Sequence, residues 1–158
     1  MASIHDVLNR QIANFSVLYV KLHHYHWYVQ GASFFTLHAK FEELYEEAAG
    51  YVDELAERLL ALGGQPVSRM ADFLKLATVK EASGHEDADA MVAEVADDFR
   101  KIAAELEEGI RAADQAGDDA TADLLTGIRT SLDKHAWMLR AFAGRTGAPS
   151  AGARIRSV

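Results

Sequence analysis

No cysteine occurs among the 158 residues. Its absence excludes disulfide staples, thiolate metal sites and a thiol nucleophile together, so any metal bound here is held by nitrogen and oxygen. Basic side chains are in deficit, 16 Lys and Arg against 24 Asp and Glu. A net charge of −8 argues against a body built to neutralise phosphates, because nucleic-acid affinity comes largely from cations that displace condensed counterions. No apolar run approaches the roughly 20 residues that cross a bilayer, and the start "MASIHDVLNRQIANF" lacks the basic opening and unbroken apolar stretch of a secretory signal. A soluble, cytoplasmic protein with no membrane partner is expected. No segment reads as a strand.

What is present reads as helix. Val7, Leu8, Ile12, Phe15, Leu18, Tyr19, Leu22 and Tyr25 recur at the three-and-four spacing of an amphipathic helix, predicted over 3–29. "QGAS" supplies a breaker and a candidate serine N-cap, and a second helix continues to Leu62, where Gly63-Gly64 stops it. The short turn makes the two antiparallel. "QPVSRMADFLKLATVKEASG" holds one of only two prolines and reads as a long crossover carrying one short helix, with Ser68 as a possible cap. A third helix begins near "HEDADA", whose acids suit the positive end of a helix dipole, and runs to Ala113 before "DQAGDD" breaks it. A fourth carries Leu124, Leu125, Ile128, Leu132, Trp137, Leu139 and Phe142. The fold class expected is all-α, a ferritin-like four-helix bundle with a short extra helix in the crossover between its second and third long helices. Residues 1–144 form the domain and 145–158 a flexible basic tail.

The chemistry concentrates on the first two helices. His38 and Glu42 are four residues apart in the second helix, as are Asp53 and Glu57, and at 100° per residue all four fall within roughly a 100° arc. Yet a rise of about 1.5 Å per residue separates Glu42 from Asp53 by roughly 16 Å, far beyond the ~2 Å reach of ligands sharing one ion. A two-fold axis crossing this helix near its middle removes the difficulty, because it lays Asp53 and Glu57 of the partner subunit against His38 and Glu42. Closed two-fold dimers are the commonest oligomers. His26, across the short turn, can lean toward His38. Two imidazoles with carboxylates and open positions suit iron(II) better than a closed structural zinc centre. The intrasubunit di-iron site of ferritin-like bundles needs Glu-x-x-His motifs, and none occurs here.

These residues carry a resemblance. "HHYHWYVQGASFFTLHAKFEELYEEAAGYVDELAERLLALGG", with "GDDATADLLTGIRTSLDKHAWMLRAF" in the last helix, resembles the Dps miniferritins, DNA-binding proteins from starved cells, over about residues 3–144. The resemblance implies a homododecamer built from two-fold dimers, a hollow shell that oxidises Fe(II) with hydrogen peroxide and stores ferric mineral, protecting DNA from oxidative damage. It implies ferroxidase ligands, holding a di-iron or mononuclear centre, at His26, His38 and Glu42 of one chain with Asp53 and Glu57 of its mate. The family often has aspartate where Glu42 stands. Trp27 is implied as a redox neighbour of that site. Asp114, Asp119 and Asp123 match the acids that line the family's three-fold iron pores.

Blander roles compete for several residues. His5, His23 and His24 read as surface or interface residues, and His135 as packed or hydrogen bonded within the last helix. Glu43, Glu46 and Glu47 either face a mineral cavity or form a solvated face. The alternative function is a nucleoid-associated DNA-binding protein acting through the tail, where Arg145, Arg154 and Arg156 stand without an acidic neighbour after Gly144.

Overall fold

The computed structural model describes residues 2–144. Its elements are α1 (Ile4–Tyr28), α2 (Phe34–Ala61), α3 (Met70–Leu76), α4 (Ala88–Ala116) and α5 (Asp119–Phe142), and no strand occurs among the described residues. The chain is all-α: α1 packs on α2, α4 packs on α5, α1 joins the two pairs through α4, and α3 lies against α1. None of the described helices is long and apolar enough to cross a membrane.

Local chemistry explains most of the helix ends. Ser3 and Asp6 form a reciprocal capping box at the start of α1, satisfying two N–H groups that a helix N-terminus leaves orphaned. Asp87 caps α4 by accepting from the Ala90 N–H, and Gly117, at φ +69°, ends that helix in the left-handed region that favours glycine. The helix therefore runs three residues past the expected Ala113, through "DQA", because the stop is the glycine rather than the acids before it. The two expected serine caps are not made. Ser33 sits at the start of α2 with ψ 17° and its side chain makes no capping bond; an N-cap hydroxyl needs extended backbone to reach forward. Arg69, not Ser68, occupies the N-cap position of α3, and it too makes no side-chain cap.

The apolar stripes of the long helices meet in one core that includes Phe15, Leu22, Tyr25, Phe41, Leu55, Phe99, Leu106, Leu125 and Leu132. Two polar networks are buried with it. The Asn14 side-chain carbonyl accepts from the Thr78 and Val79 N–H groups at 2.7 and 3.2 Å, and its amide donates to Glu105 at 3.0 Å, so the crossover is fastened to α1 and α4 with its backbone donors satisfied. Lys21, fully buried, bonds Asp98 at 2.7 Å and Glu94 at 3.2 Å. Burial pushes the Asp98 carboxyl above its ordinary range despite the lysine beside it, the expected balance for a charge pair taken out of water.

Candidate metal centre

The turn between α1 and α2 brings His26 and His38 face to face. Their rings stack with centroids 3.7 Å apart and planes 13° from parallel. The His26 Nδ1 lies 2.7 Å from the His38 carbonyl oxygen, and the His38 Nδ1 lies 2.7 Å from the His26 carbonyl oxygen. A carbonyl only accepts, so each Nδ1 carries the proton and each Nε2 is left with its lone pair. This is the tautomer a metal needs, fixed by an outer hydrogen bond. Phe34 also stacks on His38, with ring centroids 5.0 Å apart. His26 is buried and His38 half-buried.

Glu42, one turn beyond His38 on α2, is exposed, and its carboxylate accepts a long 3.4 Å hydrogen bond from the Tyr45 hydroxyl. Asp53 and Glu57 lie exposed further along the same helix. Among the described residues of the single chain, no three His, Asp or Glu side chains come close enough together to hold a metal ion. The donor chemistry suits a hard or borderline divalent cation: two imidazoles already in the metallable tautomer, with carboxylate oxygens one turn away.

Around this pair lies an aromatic array that joins Tyr45, unmarked by any motif, to His23 and Trp27. Tyr45 stands edge-on to His26 at 5.5 Å and stacks on His23 at 3.7 Å. His23 in turn meets Tyr19 at 4.5 Å and Trp27 at 5.2 Å. Trp27 is 66% exposed. Burial, followed by the charge of Glu42, pushes the Tyr45 phenol above its ordinary range. The available signal was spacing: Tyr45 follows Glu42 by three residues, near neighbours on a helix surface.

His135 differs from expectation. It bonds across the bundle to Glu47 on α2 rather than within its own helix, and Ser131 and Tyr51 donate to the same carboxylate. Burial alone would raise the Glu47 carboxyl; the bonds from His135, Ser131 and Tyr51 outweigh it and hold it down at about 2. Glu47 is thus engaged, while Glu43 and Glu46 are exposed.

Asp114, Asp119 and Asp123 are all exposed around the α4–α5 turn. The acid between them, Asp118, is the anchored one. It accepts from the Thr121 N–H at 3.0 Å and pairs with Arg58 at 2.7 Å, while Arg58 Nε donates to the Thr121 hydroxyl at 2.8 Å. The Thr121 hydroxyl foremost, with its N–H and Arg58, holds the Asp118 carboxyl below the usual range. Arg58 therefore pairs across the bundle and not with the neighbouring Glu57. Arg145, Arg154 and Arg156 lie outside the described residues.

A family model for the ferritin-like domain matches residues 5–147. General stress protein 20U of Bacillus subtilis (strain 168) is 56% identical over 139 residues, covering 88% of this chain and 96% of that protein. DNA protection during starvation protein 2 of Bacillus anthracis is 52% identical, covering 87% and 94%. The crystal structure of Dps from Staphylococcus aureus superposes with a TM-score of 0.87 at 50% identity, over 89% of this chain and 94% of that one.

Proposed function

This chain belongs to the ferritin-like Dps family, and from that premise we propose that it is a peroxide-consuming ferroxidase and iron store, a homododecamer whose active centres lie between two-fold related chains. The observation that carries the reading is the reciprocal His26–His38 clasp, which spends both Nδ1 protons on backbone carbonyls and leaves both Nε2 atoms as donors. His26, His38 and Glu42 bind Fe(II), the substrate, from one side. Asp53 and Glu57 of the partner subunit complete the centre. Periodicity supports the division, since the two ligand pairs of α2 share a face yet stand roughly 16 Å apart along one helix.

Each part of the chain has a distinct task in this reaction. The imidazoles keep their metallable tautomer without any reorganisation, because the carbonyls of residues 26 and 38 cannot accept a second tautomer's lone pair. Glu42 and the partner's carboxylates supply negative charge that offsets the growing positive charge of iron on oxidation. Asp114, Asp119 and Asp123 line the entry route and concentrate cations there. The ferric product is stored inside the shell, where iron is kept away from DNA.

The test is Fe(II) titration of the assembled, iron-free protein followed by hydrogen peroxide, monitored by the ferric absorbance and by peroxide consumption. The His26→Ala/His38→Ala protein is expected to assemble but to lose rapid oxidation. Oxidation at the native rate in that variant overturns the assignment.

A further inference from the structure

We infer that Tyr45 is a positioning residue for the iron ligand Glu42: its hydroxyl tethers one carboxylate oxygen and so sets how tightly the centre binds Fe(II). The inference rests on the ferroxidase reading above and deepens it. Its observation is a phenol clamped between the two helices that build the site. The Tyr45 ring stacks on His23 at 3.7 Å and stands edge-on to His26 at 5.5 Å and to Tyr19 at 5.9 Å. It also packs against the bundle core. Its hydroxyl donates to Glu42 Oε1 at 3.4 Å.

The two side chains differ in freedom. Glu42 is exposed on α2, and a glutamate free to turn must be ordered when it binds a metal, at a cost in rotamer entropy. Tyr45 is already ordered by the rings of α1. Order therefore passes from α1 to the phenol and from the phenol to Glu42 Oε1, while Oε2 stays free of this bond. Ligating carboxylates are commonly held by such outer hydrogen bonds, whose loss costs about 10–100-fold in metal affinity. Hydrogen bonds of this kind are often long before the substrate binds and tighten afterwards.

Stability does not account for the hydroxyl. The bond is solvent-exposed and joins residues three apart on one helix, so it ties no distant elements together. Phenylalanine would keep every ring contact. The length of the acid matters as well. An aspartate in place of Glu42 would draw the carboxyl back by about one C–C bond, ~1.5 Å, and from 3.4 Å that leaves it beyond hydrogen-bond reach. The phenol thus acts on a glutamate and has nothing to hold in an aspartate.

The experiment titrates the assembled, iron-free protein with Co(II), a divalent stand-in for Fe(II), and reads binding by calorimetry and by the visible ligand-field bands of the bound ion. Tyr45→Phe is expected to bind Co(II) about tenfold more weakly, the lower end of the range for outer-shell partners because this bond is exposed, and to shift the bands. Tyr19→Phe, which keeps a ring against Tyr45, is expected to bind as the native protein does. In a Glu42→Asp background, Tyr45→Phe is expected to change the affinity by less than about twofold, because residues that act through one bond are coupled. Melting curves verify that each variant is folded. Native affinity and bands in Tyr45→Phe overturn the inference. An equal loss in both backgrounds overturns it too, since the phenol would then act without Glu42. So does a Glu42→Asp protein that binds no Co(II), since the shorter acid keeps its charge and needs no tether. In each of these cases the site reading stands if His26→Ala/His38→Ala abolishes Co(II) binding; if that variant binds as the native protein does, the reading of the site fails and this inference with it.

Discussion

His26 and His38 hold each other by their backbones: each ring donates to the carbonyl oxygen of the other residue at 2.7 Å. The pair, twelve positions apart in the chain, closes the whole α1–α2 turn, and the two rings stack at 3.7 Å. The clasp is therefore both a structural staple and the feature that fixes the tautomer. Removing one ring leaves the other's hydrogen bond to a backbone carbonyl in place and takes away only its stacking partner, so loss of either histidine is expected to weaken metal binding in an Fe(II) titration by about one ligand's share, with the remaining imidazole still in its metallable tautomer.

Sharing of the centre between chains can be tested by mixing defects. A His26→Ala/His38→Ala chain and an Asp53→Ala/Glu57→Ala chain are each expected to be inactive in ferroxidation as pure assemblies. Their heterodimers contain one intact centre and one left with Glu42 alone, so co-assembly is expected to restore up to half of the activity of each native dimer. Absence of recovery in heterodimers verified by mass spectrometry would sink the shared-centre arrangement.

Glu47 supplies a pH-dependent bond between α2 and α5. Its carboxyl is held down at about 2 by His135, Ser131 and Tyr51, so the folded state favours the ionised form. The stabilisation is complete above the ordinary glutamate pKa of about 4.3 and disappears as pH falls toward 2. Glu47→Gln is expected to cost about 1.5–3 kcal/mol near neutrality, the range for hydrogen bonds to a charged group. The difference in melting temperature between native and Glu47→Gln protein is expected to shrink between about pH 5 and pH 2; a gap that stays constant contradicts the assignment.

Acids at the α4–α5 turn divide into two kinds. Replacing exposed Asp114, Asp119 and Asp123 with Asn is expected to slow iron uptake at low ionic strength while leaving assembly and melting temperature nearly unchanged, because electrostatic steering acts on the rate of entry. Asp118→Ala is expected to do the reverse. It removes the helix cap and the 2.7 Å pair with Arg58, costing about 1 kcal/mol by the scale for replacing capping residues with alanine. Uptake kinetics and thermal melts on both variants separate the roles.

Gly109 marks a close helix contact. A Cβ at this position would lie 2.7 Å from Val7 Cγ1 and 2.8 Å from Leu125 Cδ1. Gly109→Ala is therefore expected to destabilise by about 1–3 kcal/mol through overpacking, although alanine is the better helix former by about 1 kcal/mol. Adding Val7→Ala is expected to recover part of the loss in a thermal melt. A stabilised single variant would show that the contact relaxes freely.

DNA binding, where it occurs, is expected to depend on the tail. The acidic excess of the chain repels phosphates, and Arg145, Arg154 and Arg156 are its counterweight. Many tails on one assembly would add weak contacts through multivalency. Gel shifts at roughly 50 and 200 mM salt are expected to show a steep loss of binding and a much weaker shift for protein ending at Gly144. Equal binding by the truncated assembly would point to another surface.

Periodicity and punctuation in the sequence determined how many helices form, their order and most of their ends, because an apolar stripe at three-and-four spacing has one way to be buried and because glycines such as Gly117 accept backbone angles that stop a helix. The same periodicity placed His38, Glu42, Asp53 and Glu57 on one face of α2. Only the tertiary structure decided what lies between polar residues far apart in the chain. Asn14 with Thr78, Arg58 with Asp118, and Glu47 with His135 are separated by 64, 60 and 88 residues, and no repeat in the sequence announces them. Backbone angles likewise decided against the serine cap at Ser33, since a hydroxyl's composition says nothing of its ψ. The histidine tautomer belongs to the same class: it is set by a carbonyl oxygen twelve residues away, a partner that exists only once the turn between α1 and α2 has closed.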